Sequence, residues 1–126
     1  MTMEAINIKP TDVSPEVIFD PAKKKFSIAG WSRPESPSKF YAPVVKWIDD
    51  HGNEGLINAT VDFNIEYFNT PSARVLREIL DQLEKLFKKG IKITINWYYE
   101  DESAKEEFEY EFAQGLSIPI NFILRP

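Results

Sequence analysis

Apolar and polar residues alternate strictly in the middle of the chain, over residues 57–67. Each odd-numbered position there holds an apolar or small side chain, and each even-numbered position holds a polar one. An alternation with a period of two is typical of a β-strand with one buried face, because successive side chains of a strand point to opposite sides. We therefore predict a long strand over residues 57–67, with its odd-numbered side chains in the core.

The period changes immediately after this strand. Apolar residues then recur every three or four positions, which is typical of a helix with one apolar face, and Gly90 ends the pattern. We predict a helix over residues 71–89 and a second alternating strand over residues 91–98. A strand, a helix and a strand with short connections predict a βαβ unit with a right-handed crossover. The members of the helical stripe are Val75, Leu76, Ile79, Leu80, Leu83, Leu86 and Phe87.

Shorter patterned segments flank this unit on both sides. Two apolar runs are separated by a turn that opens with Asp20-Pro21, which predicts a β-hairpin. Phe108 and Phe112, four apart among glutamates, predict a helix with a narrow apolar seam that ends at Gly115. The elements predicted outside the βαβ unit are an edge strand near residues 6–8, hairpin strands at 16–19 and 25–29, a helix from about residue 40 to Gly52, the acidic helix after residue 100, and a last strand over residues 118–124.

The two strands of the βαβ unit each carry a polar face. Parallel strands that are covered by helices on both sides normally read as continuous apolar runs, and these do not. We therefore predict an α/β domain built as an α+β-like two-layer sandwich. It has a mixed β-sheet of about five to six strands, with three helices mainly on one face and the βαβ unit at its centre. Residues 1–126 are long enough for a single domain with its own core.

The joint between the central strand and its helix carries the clearest candidate for a functional residue. Pro71 suits the first position of a helix, because its fixed φ is already helical and its missing N–H would have had no partner there. We therefore predict that Thr70 is the N-cap of this helix. A cap alone is the simplest interpretation. The same position also suits a phosphate on the threonine hydroxyl, because the free N–H groups and the helix dipole stabilise negative charge.

Composition argues against several classes of protein. The chain has no cysteine and one histidine, His51, which lies beside Gly52 near a predicted helix end. We therefore expect no enzyme, no catalytic residue, no metal site and no cofactor. A net charge of −5 argues against nucleic acid as a partner. No apolar segment is long enough for insertion into a membrane, so we expect a cytoplasmic protein. A module that binds a small ligand or an anion at the helix N-terminus near Thr70 remains an alternative.

Four short motifs, spread over nearly the whole chain, resemble one protein family. The segment at residues 67–70 is the most specific of them, and the acidic helix and last strand complete the pattern. Together they are similar to the SiaC family of bacterial regulatory phosphoproteins. The motifs are Ser14-Pro15-Glu16-Val17, Gly30-Trp31-Ser32-Arg33-Pro34-Glu35, Tyr67-Phe68-Asn69-Thr70 and Trp97-Tyr98-Tyr99-Glu100.

The resemblance implies a partner-switching protein, similar in architecture to the anti-sigma-factor antagonists and other STAS-like proteins. In this scheme a serine/threonine kinase phosphorylates Thr70, and a PP2C-type phosphatase removes the phosphate. The unphosphorylated form binds a target such as a diguanylate cyclase. We expect Tyr67 and Phe68 to form an exposed aromatic pair beside Thr70. The full set of expected partner-binding residues is Tyr67, Phe68, Asn69, Ser32, Arg33, Glu35 and Arg74.

Overall fold

The computed structural model describes residues 4–126. They form a six-stranded sheet and three helices, the last of which continues into a π-helical turn. This architecture confirms the predicted fold class. The elements in chain order are β1 (Ile6–Ile8), β2 (Glu16–Asp20), β3 (Lys25–Ser32), α1 (Pro37–Gly55), β4 (Ala59–Phe68), α2 (Thr70–Lys88), β5 (Ile93–Tyr99), α3 (Glu102–Phe108), the π-helical turn (Glu109–Ala113) and β6 (Ile120–Leu124).

The strands lie in the sheet in the same order as in the chain, from β1 to β6. The first three pair antiparallel, and β3 to β6 pair parallel. Each parallel connection contains one helix and moves the chain one strand further in the same direction. Because such crossovers are right-handed, all three helices lie on one face of the sheet. The predicted βαβ unit is β4-α2-β5.

The central strand β4 is buried on one side only. Val61 and Phe63 are fully buried, whereas Thr60 is exposed and Asp62 is half-buried. The polar side chains of the open face bond to one another across the strands. Asn96 Nδ2 donates to Asp62 Oδ1 at 2.9 Å, and the amide of Asn121 donates to Asn96 Oδ1 at 3.1 Å. Burial on one side of β4 and polar pairs on the other confirm the two-layer prediction.

The predicted start of the central strand is wrong by two residues. Asn58 has a φ of +60°, so the backbone there is left-handed rather than extended. The strand therefore begins at Ala59, and the side chain of Ile57 is 52% exposed instead of buried. Because Ile57 is apolar and fits the alternation of the strand, the sequence pattern does not reveal this turn.

The prediction of the acidic helix is correct for its apolar seam and wrong for its geometry, which is not α-helical throughout. Phe108 and Phe112 are both buried, and the Phe108 ring stacks on Trp97 with 3.9 Å between centroids. The second half of the element, Glu109–Ala113, is a π-helical turn, and it ends before Gly115. Such turns occur mostly as single turns within α-helices, and they are frequent at functional sites.

A buried carboxylate holds α2 against the segment that leads into β6. Glu84 is 6% exposed, and its oxygens accept hydrogen bonds from both the N–H and the hydroxyl of Ser117 and from the N–H of Ile118. Burial opposes ionisation, but these hydrogen bonds and the Lys88 ammonium outweigh it, so the pKa of Glu84 lies below its ordinary value. Ionised Glu84 therefore stabilises the fold.

We expect Glu84→Gln to destabilise the protein at neutral pH, because the amide accepts fewer hydrogen bonds and carries no charge. A folded pKa below the unfolded one means that the carboxylate contributes its stability above the unfolded pKa. This contribution is lost as the pH falls through the folded pKa. The difference in unfolding free energy from the wild type should therefore shrink below about pH 4.5. Urea denaturation at several pH values measures it, with exposed Glu78→Gln on the same helix as the control.

Candidate functional site

The joint between β4 and α2 is capped by Asn69. Its side-chain Oδ1 accepts from the N–H of Ser72 at 3.0 Å, and its own backbone is extended. The prediction that Thr70 caps the helix is therefore wrong by one position. Thr70 is the first helical residue and Pro71 the second, a place that also tolerates proline because its N–H would have had no partner in the helix. The Thr70 side chain is thus not needed for the cap.

Three hydroxyl groups lie at this joint, and only that of Thr70 is accessible. Thr70 is exposed, while Ser72 and Ser32 are fully buried. The Ser32 hydroxyl shares a hydrogen bond of 2.6 Å with the hydroxyl of Tyr41, and burial raises the pKa of Tyr41 to about 12. Ser32 therefore belongs to the core, and its side chain cannot touch a partner as the sequence suggested. Its carbonyl accepts from the N–H of Asn69 at 3.2 Å and ties the end of β3 to the joint.

A β-bulge changes the face on which the end of β4 presents its side chains. Gly30 of β3 lies opposite Ile65, but the next residue, Trp31, lies opposite Tyr67, so that Glu66 is the extra residue. An extra residue reverses the alternation beyond it. Tyr67 therefore points to the open face, although its odd number predicted a place in the core. Phe68 points the other way.

The bulge creates an exposed cluster that we call the aromatic platform, formed by Trp31, Tyr67 and Arg33. The two rings lie 5.1 Å apart between centroids, and they are 46% and 44% exposed. The guanidinium of Arg33 lies 5.7 Å from the centroid of Trp31. Of the expected exposed pair, Tyr67 is exposed as predicted, but the prediction for Phe68 is wrong, because Phe68 is half-buried and packs edge-on against Phe112 at 5.4 Å.

Trp31 was missed by the sequence reasoning, although a signal was present. Phe26 and Ile28 are the apolar, inward positions of β3. The alternation of the strand then places Trp31 with the odd positions, on the open face. A tryptophan at an outward position is a candidate contact residue, because tryptophan is enriched among the residues that dominate binding energy at interfaces.

A groove of about 370 Å³ opens beside Thr70 on the helical side. Arg74 and Arg77 of α2 line it, one and two turns after Thr70. The opposite wall comes from the π-helical turn, through Glu111 and Phe112. Glu35, the remaining candidate from the sequence, lies exposed in the connection between β3 and α1.

Two further observations concern the chemistry open to these residues. Within residues 4–126, no group of three histidine or acidic side chains is arranged to hold a metal ion. In the same part of the chain, none of the helices combines the length and the apolar character needed to cross a membrane. What the joint offers is an accessible hydroxyl, a cationic groove and an aromatic platform.

The comparison with known protein families assigns this α/β domain to a class. The sequence matches the family model of the SiaC family regulatory phosphoprotein over residues 8–125, and the chain belongs to this family. The family is regulatory, so the chain is a regulatory protein and not an enzyme.

Relatives of known structure come from Pseudomonas aeruginosa. The chain is similar to SiaC of that species, with a TM-score of 0.87 and 26% identity over 98% of this chain and 100% of the other. It is similar in fold to a chain in the complex of the diguanylate cyclase SiaD with its activator SiaC, with a TM-score of 0.83 and 24% identity over 95% and 99% of the chains. An uncharacterized protein of strain UCBPP-PA14 is 26% identical over 118 residues, which are 93% of this chain and 94% of the relative.

The assignment of the cap to Asn69 predicts different effects on stability for substitutions at Asn69 and Thr70. Asn69→Ala should lower the free energy of unfolding by about 0.5–2 kcal/mol, because the N–H of Ser72 loses its acceptor. Thr70→Ala should change it by less than about 0.5 kcal/mol, because the side chain is exposed and makes no cap. Urea denaturation of both variants checks this. A larger loss for Thr70→Ala than for Asn69→Ala would mean that the threonine caps the helix.

Proposed function

We propose that this protein is a partner switch controlled by reversible phosphorylation of Thr70. A serine/threonine kinase adds the phosphate and a PP2C-type phosphatase removes it. The unphosphorylated form binds a target protein such as a diguanylate cyclase, and the phosphorylated form does not. Membership of a family of regulatory phosphoproteins supports the class of function.

The observation that carries the proposal is the accessibility of Thr70, which comes shortly after Tyr67 of the aromatic platform in the chain. Thr70 follows Tyr67 by three residues, and the neighbouring hydroxyls of Ser32 and Ser72 are buried. A kinase therefore meets one hydroxyl at this joint. The phosphate adds about −1.5 to −2 charges to a protein whose net charge is already −5.

The aromatic platform has the composition of a protein-binding hot spot. Tryptophan, tyrosine and arginine are the residues that most often dominate binding energy at interfaces. Here the rings of Trp31 and Tyr67 are in contact at an interplanar angle of 33°, and the guanidinium of Arg33 lies over the Trp31 ring. Because Thr70 follows Tyr67 by only three residues, we expect a partner seated on these rings to extend to Thr70. A phosphate there then opposes docking by desolvation and repulsion.

The relatives support a cyclase as the target class. In Pseudomonas aeruginosa, SiaC is the activator of the diguanylate cyclase SiaD, with which it forms a complex. This protein shares the fold of that activator at a TM-score of 0.83. The first partner to test is therefore a diguanylate cyclase from the organism in which this protein occurs.

We expect the unmodified protein to bind that cyclase, and the protein phosphorylated on Thr70 to bind at least about tenfold more weakly. Calorimetry on both forms, with the site mapped by mass spectrometry, measures the effect. Thr70→Ala should bind like the unmodified protein and resist inhibition by the kinase. Equal affinities of the two forms, or a phosphate found on exposed Ser103 instead, would contradict the switch.

The docking surface is tested independently of the phosphate. Trp31→Ala should weaken cyclase binding by about thirtyfold, the loss expected for an interface hot spot. Its matched control is Ile57→Ala, which removes a similarly exposed apolar side chain from the turn that precedes β4, far along the strand from Tyr67. A thermal melt confirms that both variants are folded. Wild-type affinity in folded Trp31→Ala would place the docking surface elsewhere.

A module that binds a small ligand or an anion is the second candidate function. The groove lined by Thr70, Arg74 and Arg77 favours it, since two guanidinium groups suit an anion. A thermal-shift screen with nucleotides and inorganic anions distinguishes the two functions. A large stabilisation by one compound, together with no cyclase binding, would favour the ligand module.

A further inference from the structure

Arg77 connects the groove beside Thr70 to a second part of the molecule. Its Nη1 donates to the backbone carbonyl of Glu111 at 2.8 Å, and its Nε lies 3.8 Å from the carboxylate of Asp81. Glu111 belongs to the π-helical turn, which forms the opposite wall of the groove. One guanidinium therefore bridges α2 and the π-helical turn.

We propose that Arg74 and Arg77 form a binding site for the phosphate of phosphorylated Thr70, and that its occupation releases the π-helical turn from α2. This inference rests on the function proposed above, and it names the regulation that follows from the same site. Side chains on a helix lean toward its N-terminus. Arg74, one turn after Thr70, therefore leans toward the phosphate, and Arg77 enters the same groove from the next turn.

The competition for Arg77 favours the phosphate. In the unmodified protein its partners are a neutral carbonyl and the half-exposed carboxylate of Asp81. Ion pairs at such exposed positions contribute little. In a bond between a guanidinium and a phosphate both groups are charged and the contact can be bidentate, whereas the carbonyl of Glu111 is a neutral acceptor that takes one hydrogen bond from Arg77. The phosphate also repels the acidic residue Glu111, which lines the groove.

Release of Arg77 removes a contact that holds the π-helical turn to α2. The carbonyl of Glu111 loses its donor from α2, in a turn whose hydrogen-bond pattern is already irregular. Phe112 follows directly, and it is buried against Phe68 and Trp97 with centroids 5.4 and 5.7 Å away. We therefore expect local opening around residues 109–116 while the rest of the core stays closed.

Hydrogen exchange read by mass spectrometry tests the release in the full chain. Phosphorylation of Thr70 should speed amide exchange in peptides that cover residues 109–116 by about threefold or more, while β4 and β5 stay unchanged. Arg77→Gln should show this faster exchange without phosphate, and phosphorylation should add no more. Lys85→Gln is the matched control, since it removes an exposed cation of α2 outside the groove and leaves the bond to Glu111 in place.

The phosphate itself gives a second measurement. A ³¹P titration should show a second pKa below the ordinary value of about 6, because the two arginines favour the dianion. Each of Arg74→Gln and Arg77→Gln should move that pKa back toward its ordinary value. An unshifted pKa, or unchanged exchange at residues 109–116 after phosphorylation, would overturn the proposal.

Both measurements are made without a partner, which separates this proposal from the switch. If phosphorylated protein binds the cyclase as tightly as unmodified protein, the proposed function fails. The exchange data still show whether phosphorylation releases Arg77 from Glu111. If binding is lost and exchange at residues 109–116 is unchanged, the switch stands and the release is wrong.

Discussion

Burial of the sheet on one face alone is the constraint on which the rest of this structure depends. Because every helix in residues 4–126 lies on the same side, the odd positions of β4 up to Ile65 pack into the core and the even ones face the open side. Asp62 of β4 is held there by a ladder of hydrogen bonds that runs through Asn96 to Asn121 on the neighbouring strands. The open face is thereby kept polar at its centre, and large apolar side chains are concentrated at one end, where Trp31 meets Tyr67.

The bulge at Glu66 changes which side chains are exposed at the end of β4, and it thereby creates the aromatic platform. Without the extra residue, the alternation of β4 would send Tyr67 into the core and leave Phe68 outside. With it, Phe68 packs against Phe112 and supports the start of α2, while Tyr67 joins Trp31 outside. One inserted residue therefore separates the structural aromatic from the exposed one, a few residues before the proposed phosphorylation site.

Periodicity in the sequence was sufficient for the architecture but not for the details of the site. The βαβ unit, the hairpin and the one-sided sheet follow from side chains that repeat every two or every 3.6 residues. The cap does not, because Asn69 and Thr70 are adjacent and both residue types cap helices well. The bulge is equally hidden, since it depends on the register between two strands far apart in the chain. The burial of Ser32 depends on a hydroxyl nine residues away, and no local pattern reports it.

The coincidence of strand order with chain order has a consequence for how the protein is made. Each new strand pairs with the one synthesised just before it, so the sheet can grow at its edge as the chain leaves the ribosome. No strand has to insert between two that are already paired. The carboxylate of Glu84, placed on α2, meets Ser117 and Ile118 only when the last segment arrives. Docking of β6 thus brings in the hydrogen-bond donors for the buried carboxylate of Glu84 and completes the sheet.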